Sequence, residues 1–177
     1  LIKLERFEDA RTVIQQAEEA NVDKEVLGKL VVTLPAASNQ SPPEDTIKYI
    51  LEDFNNAQFA KVVKKIDELI FSYPKSLFLY NLQASAYKQL NQLEKAVELY
   101  KKAIKIDPNV YSLFFDLGIV YRKLGRLPEA MESYKAAVKL NSHNANIFND
   151  MGLVYAEQGL ANKALDSYEK AIEIFSD

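Results

Sequence analysis

The sequence predicts an all-α protein, built as a stack of antiparallel helix pairs. Four of the five glycines fall into two pairs with a spacing of 34 residues. Residues 111–143 and 145–177 are also identical at eleven of their 33 aligned positions. Within each repeat, apolar and small residues recur with helical spacing. A fixed period of this length is typical of stacked supersecondary units rather than of one closed core.

Three repeats can be placed directly on the sequence, at 77–110, 111–144 and 145–177. In each of them two successive stretches carry apolar residues at i, i+4 and i+7, which predicts two helices. Gly125 and Gly159 fall where a residue in the left-handed conformation would end the first helix. Each repeat therefore reads as helix, short turn, helix.

Small residues recur on both helices of each repeat, and large aromatic residues lie next to them. The small residues are Ala84, Gly118 and Gly152 on the first helices and Ala96, Ala130 and Ala164 on the second. Small side chains at both places predict a close approach of the two helices, with tyrosine and phenylalanine filling the remaining space.

The repeat pattern continues towards the N-terminus in weaker form. Residues 43–76 form a degenerate repeat, and the array is expected to span 44–177. Residues 1–34 carry the pattern of two further degenerate helices, which suggests that the chain begins within a repeat. Between them, residues 35–43 are rich in Pro, Ser and Asn and predict a linker.

The spacing of recurring residues within 111–144 resembles that of the tetratricopeptide repeat (TPR) family. The residues that carry the resemblance are Phe114, Leu117, Gly118, Tyr121, Gly125, Ala130, Tyr134 and Ala137, whereas Ser142 replaces the closing proline. The resemblance implies a right-handed superhelical array whose first helices line a concave wall. The linker followed by a degenerate repeat also loosely resembles the TPR portion of bacterial proteins in which such arrays precede a transferase domain.

Composition narrows the range of functions. The formal net charge is −3, which argues against nucleic-acid binding through bulk positive charge. The chain has no cysteine and only His143 as histidine, so thiolate catalysis and sites of Cys or several His ligands are excluded. No apolar run is long enough to predict a membrane span. We expect a cytoplasmic protein that is not an enzyme and uses no cofactor or metal.

One face of each first helix is not needed for packing, and it is the candidate binding surface. Its residues are Asn81, Leu82, Ser85, Lys88, Phe115, Asp116, Ile119, Arg122, Asn149, Asp150 and Leu153. We call this set the groove residues. The resemblance implies that they hold a peptide or a partner subunit, whereas the simpler alternative is a solvated face. A second functional hypothesis is a targeting module of a larger bacterial transferase.

Asp116 and Asp150 are 34 residues apart and should lie in line on this wall. As free carboxylates they could accept backbone N–H bonds from a peptide and would favour a basic ligand. The rival hypothesis is that they pair within the array, for example Asp116 with Arg122 or Lys123. Such pairing would give them a structural role.

The end of the chain suggests a second surface. The chain starts at Leu1, inside an apparent repeat, and shows no polar capping helix before it ends, so we expect a piece of a longer protein. An apolar face around Ala161, Leu165, Ile172 and Phe175 should then be partly exposed. Self-association through this face, or docking of the N-terminal helices of a second copy, is the expected consequence.

Overall fold

The structure, a computed structural model, describes residues 42–176. The helices predicted within 1–34 and most of the linker lie outside the described residues. Within the described part the chain forms eight helices and no strand. They are α1 (Glu44–Asn55), α2 (Phe59–Ile70), α3 (Leu77–Gln89), α4 (Leu93–Ile106), α5 (Tyr111–Lys123), α6 (Leu127–Leu140), α7 (Ala145–Glu157) and α8 (Ala161–Ser176).

The helices pack as four pairs in chain order. The partners within a pair contact one another, and each pair joins the next through α2 with α3, α4 with α5, and α6 with α7. Neighbouring first helices also touch, as α5 and α7 show. The all-α repeat array predicted from the sequence is therefore confirmed.

A left-handed residue marks the turn inside every pair. Gly125 and Gly159 have φ values of 71° and 75°, as the sequence predicts. The same turn position holds Asn91 (φ 57°) and Ala57 (φ 56°) in the two earlier pairs. Asparagine tolerates this conformation, but alanine lacks a side chain that compensates for the steric cost. The chain therefore keeps the turn geometry even where the residue type does not favour it.

The glycines on the first helices have a specific packing role. A Cβ atom added at Gly118 would lie 2.6 Å from Cδ1 of Tyr134, and one at Gly152 would lie 2.7 Å from Cδ1 of Tyr168. Such distances are well inside van der Waals contact. The bare backbone of each glycine thus gives room to the tyrosine ring of the second helix in the same pair.

The first helix pair replaces one aromatic of the repeat with a carboxylate. Asp53 stands where later repeats have Tyr87, Tyr121 and Tyr155, and it is only 7% exposed. Lys61 and Lys65 donate to its two oxygens over 2.7 Å and 2.5 Å, and these hydrogen bonds hold the pKa of Asp53 below its usual range. An ion-paired carboxylate thus links α1 to α2.

Candidate functional site

The groove residues occupy four positions of the repeat that recur on α3, α5 and α7. One column is Asn81, Phe115 and Asn149, and the next is Leu82, Asp116 and Asp150. The third column is Ser85, Ile119 and Leu153. The fourth is Lys88 and Arg122, and the equivalent position on α7 holds Ala156, which is not one of the groove residues. All are half-buried except Asn149 and Ala156, which are exposed.

Ion pairs connect the first helices across neighbouring repeats. The Lys88 ammonium donates to Oδ1 of Asp116 over 2.5 Å. One repeat later, Nη2 of Arg122 lies 3.7 Å from Oδ1 of Asp150. Each cation pairs with a carboxylate 28 residues further along the chain. The two pairs form a short ladder along the wall, which ends because Ala156 occupies the next cation position.

This ladder differs from the pairing suggested by the sequence. Asp116 contacts Lys88 of the preceding repeat, not Arg122 or Lys123. Arg122 reaches forward instead, and its Nη1 also donates to Glu157 over 2.9 Å. Both aspartates therefore already have a cationic partner.

The second ion pair of the ladder contains Asp150, a carboxylate whose pKa is altered by burial. Burial raises the pKa of Asp150 above its usual value, and Arg122 only partly opposes this effect. The 3.7 Å separation between Arg122 and Asp150 fits a carboxylate whose burial is only partly compensated.

Tyrosines of the second helices reach the same wall from behind. The Tyr100 hydroxyl is 3.0 Å from Oγ of Ser85, so this pair is satisfied. At the corresponding place in the next repeat, Ile119 replaces the serine, and the buried Tyr134 hydroxyl has no hydrogen-bond partner within residues 42–176. The Arg122 guanidinium is nearby, but its Nε is likewise buried without a partner there.

Apolar side chains make up much of the remaining wall. The Phe115 ring lies 5.9 Å from the ring of Tyr134, tilted by 46°, and Ile119 packs on the same central core. Leu82 belongs to a different cluster, formed with Ile50, Val62 and Ile66 of the first helix pair. The wall therefore has two apolar areas, with the ion-pair ladder alongside them.

Two participants in this wall were not among the groove residues named from the sequence. They are Tyr134 of α6, whose ring contacts Phe115, and Glu157 of α7, which accepts a hydrogen bond from Arg122. The ladder itself had a sequence signal. A cation and a carboxylate recur together at a 34-residue offset, so their 28-residue separation is the same in both repeats. Which carboxylate each cation meets depends on the angle between neighbouring first helices.

The described residues show neither a metal cluster nor a membrane helix. Among residues 42–176 no group of three or more His, Asp and Glu side chains is arranged to hold a metal ion. In the same part of the chain, no helix combines the length and apolar character that a bilayer span requires.

Stacked helix pairs with a shared wall of first helices define a helical-repeat protein of the interaction-scaffold class. Comparison with family models gives the family. A model described as TPR repeat matches residues 84–125 and 118–159, and one described as tetratricopeptide repeat matches residues 145–177. The chain belongs to the tetratricopeptide repeat family. No curated protein matches the sequence.

Solved structures agree on the fold. A crystal structure of MamA superposes with a TM-score of 0.72 at 20% identity, over 75% of this chain and 78% of that one. A second MamA crystal structure gives 0.70 at 17% identity, over 96% and 92% of the two chains. MamA 41-end from Desulfovibrio magneticus RS-1 gives 0.71 at 14% identity, over 96% and 95%. At these identities the likeness concerns the fold alone.

Proposed function

We propose that the array is a non-catalytic scaffold that binds a peptide or a segment of a partner protein along the wall formed by α3, α5 and α7. The observation that carries this proposal is the combination of half-buried apolar residues with charges that are already paired. The apolar side chains of this wall include Phe115, Ile119 and Leu153, which are half-buried and therefore still partly exposed to water. Covering them would add apolar burial without removing an unpaired charge from solvent.

The ladder changes the kind of ligand that this wall would favour. Since Lys88 neutralises Asp116 and Arg122 faces Asp150, the aspartates offer less attraction to a basic ligand than free carboxylates would. We therefore assign affinity to the apolar residues and orientation to the polar ones. Asn149 is exposed and can both donate to and accept from a peptide backbone.

The test uses peptides selected from a random displayed library on the immobilised chain. The variant is Ile119→Ser together with Leu153→Ser, because Ser85 shows that this column accommodates serine. Losing two buried aliphatic contacts should weaken peptide binding at least about tenfold, measured by calorimetric titration. Serine at 119 also offers the Tyr134 hydroxyl the partner that Ser85 gives Tyr100, which limits the cost to folding.

The matched control is Leu140→Ser, an exposed leucine of α6 outside the groove. Its peptide affinity should equal that of the parent chain. Equal affinity of the parent and the double groove variant, with helix content unchanged, would place the ligand elsewhere. Substituting the two aspartates is a poorer test, because it leaves Lys88 and Arg122 without their partners and mixes stability with binding.

We further propose that the chain self-associates through the exposed apolar face of α8. The residues expected to be exposed there are exposed: Leu165 by 57%, Ile172 by 66% and Phe175 by 88%. Large apolar side chains of this exposure on one helix are typical of interaction surfaces. Sedimentation over a range of concentrations should show reversible association, and a strict monomer at high concentration would refute this proposal.

A further inference from the structure

The buried apolar side chains of residues 42–176 form two clusters rather than one. The smaller cluster joins α1 and α2 to one side of α3, and its buried members are Ile50, Val62, Ile66, Leu79 and Ala86. The larger cluster is the central core, which begins on the other side of α3 with Ala84 and extends to α7. The core of the array is thus divided along α3.

The stripe of α3 that faces α2 is smaller and more polar than its equivalents in the later repeats. It consists of Leu79, Gln83 and Ala86. The equivalent stripes are Leu113, Leu117 and Val120 on α5 and Ile147, Met151 and Val154 on α7. Because apolar burial is the main force that holds one helix pair on the next, α3 contributes less to its joint than α5 and α7 contribute to theirs.

Gln83 places a polar group inside this joint. It is only 3% exposed, and its Nε2 donates to Oδ1 of Asp67 on α2 over 2.6 Å. Asp67 is exposed, so water can take over both ends of this hydrogen bond when the two helices part. A contact that water can replace resists separation less than the burial of a large apolar side chain does.

A surface concavity between α2 and α4 extends down to this polar contact. It has a volume of about 300 Å³, and its lining includes Gln83, Asp67 and Lys102. At the next joint the Lys101 ammonium, one repeat after Asp67, lies over the ring of Tyr121 at 5.7 Å. Water therefore has access to the edge of the joint between α2 and α3.

The first helix pair has contacts of its own that do not involve α3. Lys61 and Lys65 of α2 form ion pairs with Asp53 of α1. The rings of Phe54 and Phe59 meet edge to face, with their centroids 5.2 Å apart. Since none of these contacts depends on α3, α1 and α2 can stay together when α2 moves away from it.

We propose that the array opens at the joint between α2 and α3, so that α1 and α2 separate as one unit while the three later pairs stay folded. Partial opening of this kind occurs where few apolar contacts and solvated polar groups hold two units together. It uncovers Leu79 and Ala86, which are fully buried in the closed array.

The opening has a consequence for the groove, because Leu82 packs against the smaller cluster. The part of the wall formed by α3 is therefore complete only in the closed array. A ligand that contacts Leu82 binds the closed state better than the open one and so stabilises the joint. This consequence rests on the proposed function, whereas the opening itself does not.

Hydrogen exchange of the full chain, followed by mass spectrometry, tests the opening without any ligand. The amides of α1 and α2 should exchange together, at least about tenfold faster than those of α4 and α6. Equal protection of these four helices would overturn the proposal. A gradual loss of protection from α2 to α1 would also overturn it, because that pattern is fraying from one end rather than the opening of a unit.

Substitutions on the two sides of the joint test its cause. Gln83→Leu gives α3 the residue that α5 has at this position, so exchange of α1 and α2 should slow at least about fivefold. Gln89→Leu, the same change at an exposed position of α3, is the matched control and should leave exchange unchanged. Asp67→Ala should speed exchange of α1 and α2, because it leaves the Gln83 amide without its partner. Equal exchange in the two leucine variants would contradict the role of the joint.

A peptide selected on the immobilised chain then tests the link to the groove. At saturation the peptide should slow the exchange of α1 and α2. Unchanged exchange with the peptide bound would refute this link and leave the opening, which is measured on the free chain, intact. Failure to select any peptide would contradict the proposed function and not the opening.

Discussion

Gly118→Ala should destabilise the array, although alanine is the better helix former. The added Cβ would lie 2.6 Å from Cδ1 of Tyr134 and closer still to Cε1. Tyr134 is fully buried, so its ring cannot swing into solvent to relieve the contact. Either the ring or the α5 backbone must shift by about 1 Å to restore an ordinary contact distance.

The size of this effect follows from two opposing contributions. Forcing an extra carbon against a buried ring costs about 3 kcal/mol, the upper end of the usual overpacking range. Replacing glycine by alanine in a helix interior stabilises the helix by about 1 kcal/mol. The free energy of unfolding should therefore fall by about 2 kcal/mol.

Urea unfolding followed by circular dichroism measures this change, and a double-mutant cycle assigns its cause. In a Tyr134→Val background the δ and ε ring atoms are gone, so Gly118→Ala should become stabilising by about 1 kcal/mol. Gly125→Ala is the matched control, since its Cβ would meet nothing within 4 Å and only its φ of 71° resists substitution. Its cost of about 1 kcal/mol should be the same in both backgrounds. A neutral or stabilising Gly118→Ala in the parent chain would refute the account.

Two further substitutions test the first helix pair. Ala57→Gly should raise the free energy of unfolding in urea by about 1 kcal/mol, because alanine at a φ of 56° is strained and glycine is not, and a loss of stability would contradict this. Asp53→Asn should make the free energy of unfolding depend less steeply on pH in the acid range, the acid limb of its pH profile. Since Lys61 and Lys65 lower the pKa of Asp53 in the folded state, its contribution is complete above the unfolded value near pH 4. That contribution is lost as pH falls through the folded pKa, so an unchanged acid limb in the variant would show that this ion pair does not stabilise the fold.

The period, the helix pairs and the turns could be predicted because they depend on local sequence. A 34-residue offset aligns Gly118 with Gly152, and each turn needs only one left-handed residue at its fixed place. The positive φ of Ala57 was not predicted, because alanine is not a residue type that favours this conformation. Its conformation is imposed by the helices on either side.

The candidate site was harder to predict, because it depends on contacts between repeats. Which carboxylate Lys88 reaches is decided by the rotation of α5 against α3, and periodicity does not specify that angle. The role of Asp53 was not predicted either, because a carboxylate at a position where the later repeats have tyrosine is expected to lie on the surface. In the structure Lys61 and Lys65 both form ion pairs with it. The unpartnered hydroxyl of Tyr134 likewise follows from a difference between repeats, serine at 85 and isoleucine at 119.

The central claim is that ligands bind on the wall of first helices, and methyl NMR tests it most directly. The chain is labelled at its Ile, Leu and Val methyl groups and titrated with a peptide selected from the displayed library. Binding in the groove should shift the methyl signals of Leu82, Ile119 and Leu153 and leave those of Ile104 and Leu140 on the second helices unchanged. Shifts confined to the second-helix methyl groups would contradict the claim.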